Sequence, residues 1–195
     1  ESVGQEALQT ISNHIKVPVQ DLVWVEVDYD YENGDAPTTP DHYLRHLVAV
    51  DHAHQEVVLA IRGTFSIQEI VVDLTSFSRE GFGGGEAHEG MATMAERLWQ
   101  VAGPVIVKTL KEHPDYGLVV TGHSLGAGTA SLLTILLKQQ QQQQQYQWEK
   151  SPGTVPMIPP TTSVRCFAFA SPPVFTPLEL IPHVTPLITN FIHER

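Results

Sequence analysis

The sequence contains little cysteine and little positive charge. One cysteine, Cys166, stands among 195 residues, so no disulfide can form within the chain, and this composition fits a reducing compartment. Lysine and arginine together number 11 against 22 aspartates and glutamates, which gives a formal net charge of −11. Because nucleic-acid surfaces and basic membrane-docking faces need clustered lysine and arginine, the composition argues against both. Neutral or apolar partners are favoured.

The sequence also lacks the features of a targeting segment. It begins at Glu1, and no charged region followed by an apolar stretch predicts a signal peptide. Residues 117–137 contain no charged side chain and are long enough for a membrane span. Glycines at 122, 126 and 128 interrupt this run, and a strand-to-helix transition explains them better. No span is predicted, and the expected localisation is intracellular or membrane-associated.

Apolar periodicity predicts alternating strands and helices in a single domain over residues 1–195. The predicted helices are 1–16, 91–112 and 125–137, and the predicted strands are 23–29, 47–50, 57–61, 118–120, 164–170 and 187–192. Strands 47–50 and 57–61 flank a polar turn, which is typical of a hairpin. Gly103-Pro104 predicts a kink or break in the second helix. The alternation predicts an α/β fold with a mainly parallel sheet and helices on both faces.

Residues 139–162 have the composition of an insertion. Seven glutamines at 139–145 prolong the end of the third predicted helix, and four prolines follow before residue 161. Because such low-complexity, proline-containing sequence buries little apolar surface, we expect a solvated insertion rather than a second domain.

Ser124 lies in the motif Gly122-His123-Ser124-Leu125-Gly126, between a predicted strand and a predicted helix. The Gly-x-Ser-x-Gly pattern alone arises by chance in about one chain in twenty of this length. In this context it predicts a nucleophile elbow, where strained backbone exposes the serine hydroxyl and the glycines let strand and helix approach closely. Ser124 is therefore the predicted nucleophile, and His123 is interpreted as a packing histidine. A glycine-rich turn beside a buried strand is the alternative.

An oxyanion hole needs donors from two parts of the chain. The backbone N–H of Leu125, at the start of the predicted helix, is one candidate. Thr64 is the other, because it follows strand 57–61 and therefore lies at the carboxyl edge, where open α/β sheets bind ligands. A simple strand-ending turn at Thr64 is the alternative.

Residues 65–85 are predicted to form a lid region. Apolar side chains recur between Phe65 and Phe77, and glycines 81, 83, 84 and 85 follow. Such a segment can move, and its apolar face can cover an acyl groove or lie on a lipid surface. Core packing is the alternative for this face, and Asp73 is interpreted as structural.

Together these segments resemble the class 3 (fungal-type) lipases, and within that family most closely the sn-1-specific diacylglycerol lipases. The resemblance is carried by residues 59–67, 72–75, 88–91, 121–130 and 166–173. It implies an α/β-hydrolase fold, Ser124 as nucleophile, Thr64 and Leu125 as oxyanion donors and residues 65–85 as the lid. It also implies a long-chain acyl ester of glycerol as substrate, met at a membrane or lipid-droplet surface.

The sequence after Ser124 contains no aspartate, although the α/β-hydrolase triad runs in the order serine, acid, histidine. The remaining acids and histidines are Glu149, Glu179, Glu194, His183 and His193. In the resembled family the acid follows the strand that matches 187–192. We therefore expect a C-terminally truncated fragment with an incomplete fold, whose acid and base lie beyond Arg195. His183 or His193 as the base is the alternative.

The expected function is hydrolysis of an acyl ester of a glycerolipid, diacylglycerol above all, through an acyl-enzyme on Ser124. One alternative is another acyl-ester hydrolase, such as a phospholipase A1 or a feruloyl esterase. A second is a catalytically incomplete, lipase-like binding or regulatory protein. No cofactor or metal is predicted, because the His-x-His of Asp51-His52-Ala53-His54 has no third ligand and falls in a polar turn.

Overall fold

The computed structural model describes residues 4–26, 45–63, 78–147 and 156–192. The elements in chain order are α1 (Gln5–Ile15), β1 (Leu22–Val25), β2 (His46–Asp51), β3 (Glu56–Ile61), β4 (Ser78–Phe82), β5 (Gly85–His88), α2 (Glu89–Glu112), β6 (Gly117–His123), α3 (Leu125–Gln147), β7 (Val164–Phe169), β8 (Phe175–Thr176) and β9 (Ile188–Phe191). Every predicted helix and strand is confirmed within the described ranges. The end of predicted strand 23–29 beyond Glu26 lies outside them.

Six strands form the central sheet, in the order β1-β2-β3-β6-β7-β9. The hairpin of β2 and β3 is antiparallel, as is the pairing of β1 with β2, whereas β3, β6, β7 and β9 run parallel. The predicted α/β fold with a mainly parallel sheet is therefore confirmed. Because parallel strands end at the same edge, Ile61, His123, Phe169 and Phe191 all lie along one carboxyl edge.

The core lies between this sheet and two helices. Helices α2 and α3 pack together over the face that carries Val57, Leu59 and Val120, all of which are fully buried. Full burial of one such side chain stabilises the fold by about 1.5–3 kcal/mol. Side chains alternate across a strand, so Leu47 and Ala60 lie on the opposite face, where they line a pocket together with Ile11 of α1. Helices thus cover parts of both faces.

Residues 117–137 form β6 and the first part of α3, as the sequence predicts. Within the described ranges, no helix combines the length and the apolarity that crossing a membrane requires.

Helix α2 runs unbroken through Pro104, so the predicted break there is wrong. Pro104 and Gln100 both lie on the exposed side of the helix. Proline removes the N–H that would bond the carbonyl four residues earlier, and water can reach the Gln100 carbonyl instead. The buried neighbour Gly103 permits a close approach by the loop after α3, since a Cβ there would lie 3.0 Å from the Pro156 ring.

The glutamine run prolongs helix α3, as the sequence predicts, but one of its side chains is buried rather than solvated. Helix α3 continues to Gln147, and Gln141 is only 3% exposed. The Gln141 side-chain amide donates to the carbonyl oxygens of Pro159 and Thr162, each at 3.0 Å. Ile158, on the same returning segment, is also buried. One amide thus satisfies buried carbonyls that would otherwise lack partners, and it anchors the chain on its way into β7.

Residues 78–85 of the predicted lid region form the hairpin of β4 and β5. Gly83 and Gly84 make the turn between β4 and β5 with φ of 63° and 83°. Strand β5 also pairs with β8, and a Cβ on Gly85 would meet the ring of Phe175 at 2.8 Å. The glycines therefore serve a tight turn and a close approach. Residues 65–77, including Asp73, lie outside the described ranges.

The Asp51–His54 turn joins β2 and β3, as predicted. The His54 ring nitrogen Nδ1 lies 2.7 Å from the Asp51 carboxylate, and this hydrogen bond lowers the pKa of Asp51. His52 turns away from His54 and pairs with the Tyr116 hydroxyl at 2.9 Å. In the described part of the chain, no three histidine, cysteine, aspartate or glutamate residues group so as to hold a metal ion.

Cys166 is fully buried in β7, as the sequence predicts. Burial raises the pKa of its thiol from 9.0 to about 11, against the opposing effect of hydrogen bonds with Thr134 and Ser131. The folded protein therefore holds the thiol proton more tightly than the unfolded chain does. As the pH rises from the pKa of the unfolded state toward the pKa of the folded state, the protein loses stability.

We therefore expect the free energy of unfolding to fall more steeply above pH 9 in the natural protein than in Cys166→Ala. The difference between pH 8 and pH 10.5 should reach about 2 kcal/mol, because one pKa unit corresponds to about 1.4 kcal/mol. Urea denaturation of both proteins at the two pH values measures it. Parallel pH profiles would contradict the burial of this thiol, since tyrosines and lysines titrate equally in both proteins.

Candidate active site

Ser124, the predicted nucleophile, lies at the carboxyl edge of the sheet between β6 and α3. Its φ is 53°, a left-handed conformation that is rare for any residue with a side chain. Its backbone N–H donates to the carbonyl of Phe169 at 2.9 Å, and its carbonyl accepts from the N–H groups of Ala127 and Gly128 at 2.9 and 3.0 Å. The strained conformation is thus held from both sides, by β7 and by the first turn of α3.

The two glycines of the motif are required by close backbone contacts. A Cβ on Gly122 would lie 2.5 Å from the carbonyl carbon of Gly126, and one on Gly126 would lie 2.5 Å from the carbonyl oxygen of Ile61. Both distances are shorter than real Cβ contacts. Strand β6, helix α3 and the end of β3 therefore meet at the elbow with no room for a side chain, as the sequence predicts.

Helix α3 begins directly behind Ser124, and its first N–H groups define the electrostatics of the site. Within the described ranges, the N–H of Leu125 makes no hydrogen bond. The first N–H groups of a helix lack partners inside the helix, and the helix dipole adds partial positive charge at this end. An oxygen that gains negative charge beside Ser124 would be stabilised here.

The loop after β3 reaches the same point. A Cβ on Gly63 would lie 3.6 Å from the Ser124 Cβ and would overlap the carbonyl oxygen of His123. Thr64, the predicted second oxyanion donor, is the next residue along the chain and lies outside the described ranges. Its neighbour Gly63 nevertheless brings this loop into contact with the elbow.

Apolar groups pack against the first turn of α3. A Cβ on Gly128 would meet the sulfur of Met91, the Val174 side chain and, at 3.6 Å, the Pro172 ring. Met91 belongs to the first turn of α2, where the His88 ring accepts a hydrogen bond from the Met91 N–H at 3.4 Å. The sequence motifs assign no role to Met91, Val174 or Pro172. Their only signal in the sequence was their place within segments 88–91 and 166–173, which carry the resemblance.

In the part of the chain that the structure describes, no histidine or carboxylate is hydrogen-bonded to the Ser124 hydroxyl. His123 is exposed, so its interpretation as a packing histidine is wrong. His183 lies before β9, whose first residue pairs with Cys166. Among the described residues no hydrogen bond joins His183 to Ser124, and His193, Glu149 and Glu194 lie outside the described ranges.

Comparisons with known proteins agree with this geometry. The profile of the Lipase (class 3) family matches residues 58–180, which contain the elbow and the loop after β3. Diacylglycerol lipase-beta of Mus musculus is 38% identical over 102 residues, which cover 49% of this chain and 15% of that protein. Secreted mono- and diacylglycerol lipase A of Penicillium camembertii is 35% identical over 122 residues, covering 59% of this chain and 37% of that protein. The chain thus spans well under half the length of either relative.

A solved structure gives the same fold. The crystal structure of the N225Q mutant of MDLA from Penicillium cyclopium superposes with a TM-score of 0.58 at 22% identity, over 97% of this chain and 71% of the other. At this identity the likeness concerns the fold alone, which is that of the α/β-hydrolases. Because the family profile matches more than half of the sequence, the chain belongs to the class 3 lipase family.

Proposed function

We propose that this protein is a serine lipase that hydrolyses acyl esters of glycerolipids, diacylglycerol above all, through an acyl-enzyme on Ser124. The observation that carries the proposal is the left-handed backbone of Ser124, which presents a hydroxyl at the start of a helix on the carboxyl edge of the sheet. The relatives named as diacylglycerol lipases support the substrate class.

The chemistry would proceed in two steps. The Ser124 oxygen attacks the ester carbonyl carbon while a base accepts the hydroxyl proton, and the carbonyl oxygen becomes an oxyanion. As the tetrahedral intermediate collapses, the carbon–oxygen bond to glycerol breaks, the alcohol takes up the proton, and the acyl group stays on Ser124. Water then attacks the acyl carbonyl by the same route and releases the fatty acid.

The oxyanion would be stabilised by N–H groups from both sides of the elbow. The Leu125 N–H supplies one donor at the start of α3. We assign the second to Thr64, because its neighbour Gly63 packs beside Ser124. Loss of one such donor typically costs about 3–4 kcal/mol of transition-state stabilisation.

The surroundings suit an apolar, uncharged substrate. Met91, Val174 and Pro172 pack near the elbow, and a chain with a net charge of −11 does not attract anionic headgroups. Residues 65–77 remain the proposed lid, and a lipid surface the proposed place of action.

A specific observation also favours a second candidate. Among the described residues no base is bonded to Ser124, which is what a lipase-like protein that binds lipid without hydrolysing it would show. Without a base, a serine hydroxyl is a weak nucleophile at neutral pH.

Labelling of Ser124 by a fluorophosphonate distinguishes the lipase from the lipid-binding protein. We expect the product of the longest reading frame that contains this sequence to be labelled on the peptide containing Ser124, and to release fatty acid from diacylglycerol. The 195-residue chain should be labelled at a much lower rate if its base is missing. Mass spectrometry of the labelled peptide locates the site. An unlabelled Ser124 in the longer product would reject the lipase and leave the binding protein.

A further inference from the structure

We propose that Tyr116 is a covalent acceptor for acyl groups, activated by His52 and Asp21 at the amino edge of the central sheet. The acyl donor would be an activated ester, one whose leaving group is a phenol or a thiol. The whole length of β6 separates Tyr116, which precedes this strand, from Ser124, which follows it. The inference goes beyond the proposed hydrolysis and does not depend on it.

Three distant segments of the chain bring these side chains together. Asp21 directly precedes β1, His52 lies in the turn between β2 and β3, and Tyr116 directly precedes β6. Strand β2 runs antiparallel to β1 and to β3, and β3 runs parallel to β6, so all three segments meet at the same edge. No sequence motif marks this cluster, because its members lie far apart along the chain.

The imidazole of His52 lies between the other two side chains. Its nitrogen Nδ1 is 2.9 Å from the Tyr116 hydroxyl, and its Nε2 is 3.4 Å from a carboxylate oxygen of Asp21. A carboxylate beside Nε2 favours the tautomer that carries its proton there, which leaves Nδ1 as an acceptor for the phenol proton. Acid, imidazole and hydroxyl thus follow the order of a Ser–His–Asp triad, with a phenol in place of the serine.

Neighbouring rings hold the phenol and the imidazole in place. The Tyr116 ring stacks on the His113 ring, with centroids 4.7 Å apart and planes 25° apart. The Tyr116 backbone N–H also donates to the His113 carbonyl at 3.0 Å. His52 meets both rings edge-on, at centroid distances of 5.6 and 5.8 Å. Because these groups are already aligned, proton transfer from the phenol needs no large rearrangement.

Among the described residues, the cluster is open to small molecules. The side chain of His52 is 50% exposed, and Tyr116 is only partly buried. The other histidine of the turn, His54, pairs with the Asp51 carboxylate at 2.7 Å instead of with the phenol. His52 is therefore the base that we assign to Tyr116, and His54 provides a comparison within the same turn.

The proposed step transfers one acyl group. The Tyr116 oxygen attacks the acyl carbonyl carbon while Nδ1 of His52 accepts the phenol proton, and the carbonyl oxygen becomes an oxyanion. When this intermediate collapses, the bond to the leaving group breaks, and that group departs as a phenol or a thiol with the proton from His52. The product is an acyl ester of Tyr116. Esters of glycerol would not react, because an alkoxide is a poorer leaving group than the tyrosine phenolate.

Acetylation by para-nitrophenyl acetate tests the assignment, in the 195-residue chain carrying Ser124→Ala so that this serine takes no acetyl group. We expect mass spectrometry to locate the fastest acetylation on Tyr116. His52→Gln should slow it about a hundredfold, the lower end of what a positioned base contributes. Asp21→Asn should slow it about tenfold, the effect of one charge-assisted contact, and Asp21→Glu should restore most of the rate. His54→Gln is the matched control and should react at the full rate.

Asp21 acts through His52, so its role needs a second measurement. Nitrogen NMR should show His52 with its proton on Nε2 in the natural protein, and a shift toward the Nδ1–H tautomer in Asp21→Asn. An unchanged tautomer would show that Asp21 is a structural residue only, and would reject its assignment as the positioning residue of this site.

Several outcomes would overturn the proposal. Tyr116→Phe keeps the ring and removes the oxygen, so equally fast release of para-nitrophenolate by this variant would show that the phenol does not attack. An unchanged rate in a His52→Gln protein that is folded by circular dichroism would reject the base. Acetylation of Tyr116 by triacetin, an ester of glycerol, would reject the activated ester as donor. Acetylated Tyr116, together with a Ser124 that resists the fluorophosphonate in the longer product, supports this site and rejects only the proposed hydrolysis.

Discussion

Gly126→Ala is expected to lower the free energy of unfolding by about 3 kcal/mol, the upper end of what overpacking a core position typically costs. The added methyl group would lie 2.5 Å from the Ile61 carbonyl oxygen and 2.9 Å from the Arg62 carbonyl carbon. Both are backbone atoms of the β3 end, which cannot move away as a flexible side chain can. The helix propensity of alanine, about 1 kcal/mol better than that of glycine, offsets only part of this.

Two other glycines provide controls for the same substitution. Gly4 has no atom within 4 Å of an added Cβ, so Gly4→Ala should change stability by no more than about 0.5 kcal/mol. Gly90 lies in the first turn of α2 with its nearest neighbour at 3.5 Å, an ordinary contact. Gly90→Ala should therefore stabilise the protein by about 0.5 kcal/mol. Urea denaturation ranks the three, and a Gly126→Ala midpoint equal to that of Gly4→Ala would refute the close approach.

The elbow could be predicted because its chemistry is local. A glycine on each side of Ser124, an apolar strand before it and an apolar helix after it specify the turn within about fifteen residues. The structure adds a feature that no local pattern contains, which is the packing of Gly126 against Ile61 and of Gly63 against His123. These contacts join positions about sixty residues apart, so they depend on the order of strands in the sheet.

The glutamine run and the glycine cluster show what composition alone cannot resolve. Composition describes an average over a segment, whereas burial depends on single side chains. One amide, that of Gln141, is placed to bond the carbonyls of Pro159 and Thr162, and the segment is anchored there. The glycines at 83 and 84 make a turn between β4 and β5, and β5 pairs in addition with β8, about 90 residues later in the sequence. Such pairings cannot be read from the residues that make the turn.

The histidines show a different limit of prediction from sequence. His123 lies inside the motif and next to a buried apolar segment, which favoured packing. It is the last residue of β6, however, and its side chain is exposed at the carboxyl edge of the sheet. His183 was a candidate base by order along the chain, yet no hydrogen bond joins it to Ser124 among the described residues, and it precedes β9, whose first residue pairs with Cys166. Order in sequence constrains a triad only when strand register is also known.

Ser124→Gly is expected to abolish fluorophosphonate labelling and, at the same time, to raise the stability of the fold. The left-handed conformation at φ 53° costs a residue with a Cβ roughly 1–2 kcal/mol, which glycine does not lose. Glycine is more flexible in the unfolded chain, a loss of about 0.5–1 kcal/mol. The net gain should be about 0.5–1 kcal/mol, the difference between these two effects. If the protein is more stable without the serine side chain, the serine is present for its chemical role and not for stability.

Two variants separate the strain from the chemistry. Ser124→Ala also removes the hydroxyl and should abolish labelling, but it keeps the Cβ and should leave the urea midpoint almost unchanged. Gln55, in the β2–β3 turn at the opposite edge, has φ of 56°, so Gln55→Gly should gain stability like Ser124→Gly and keep full labelling. If Ser124→Gly were instead less stable than Ser124→Ala, the backbone at the elbow would not be strained. The hydroxyl would then need another explanation for its place at the start of α3.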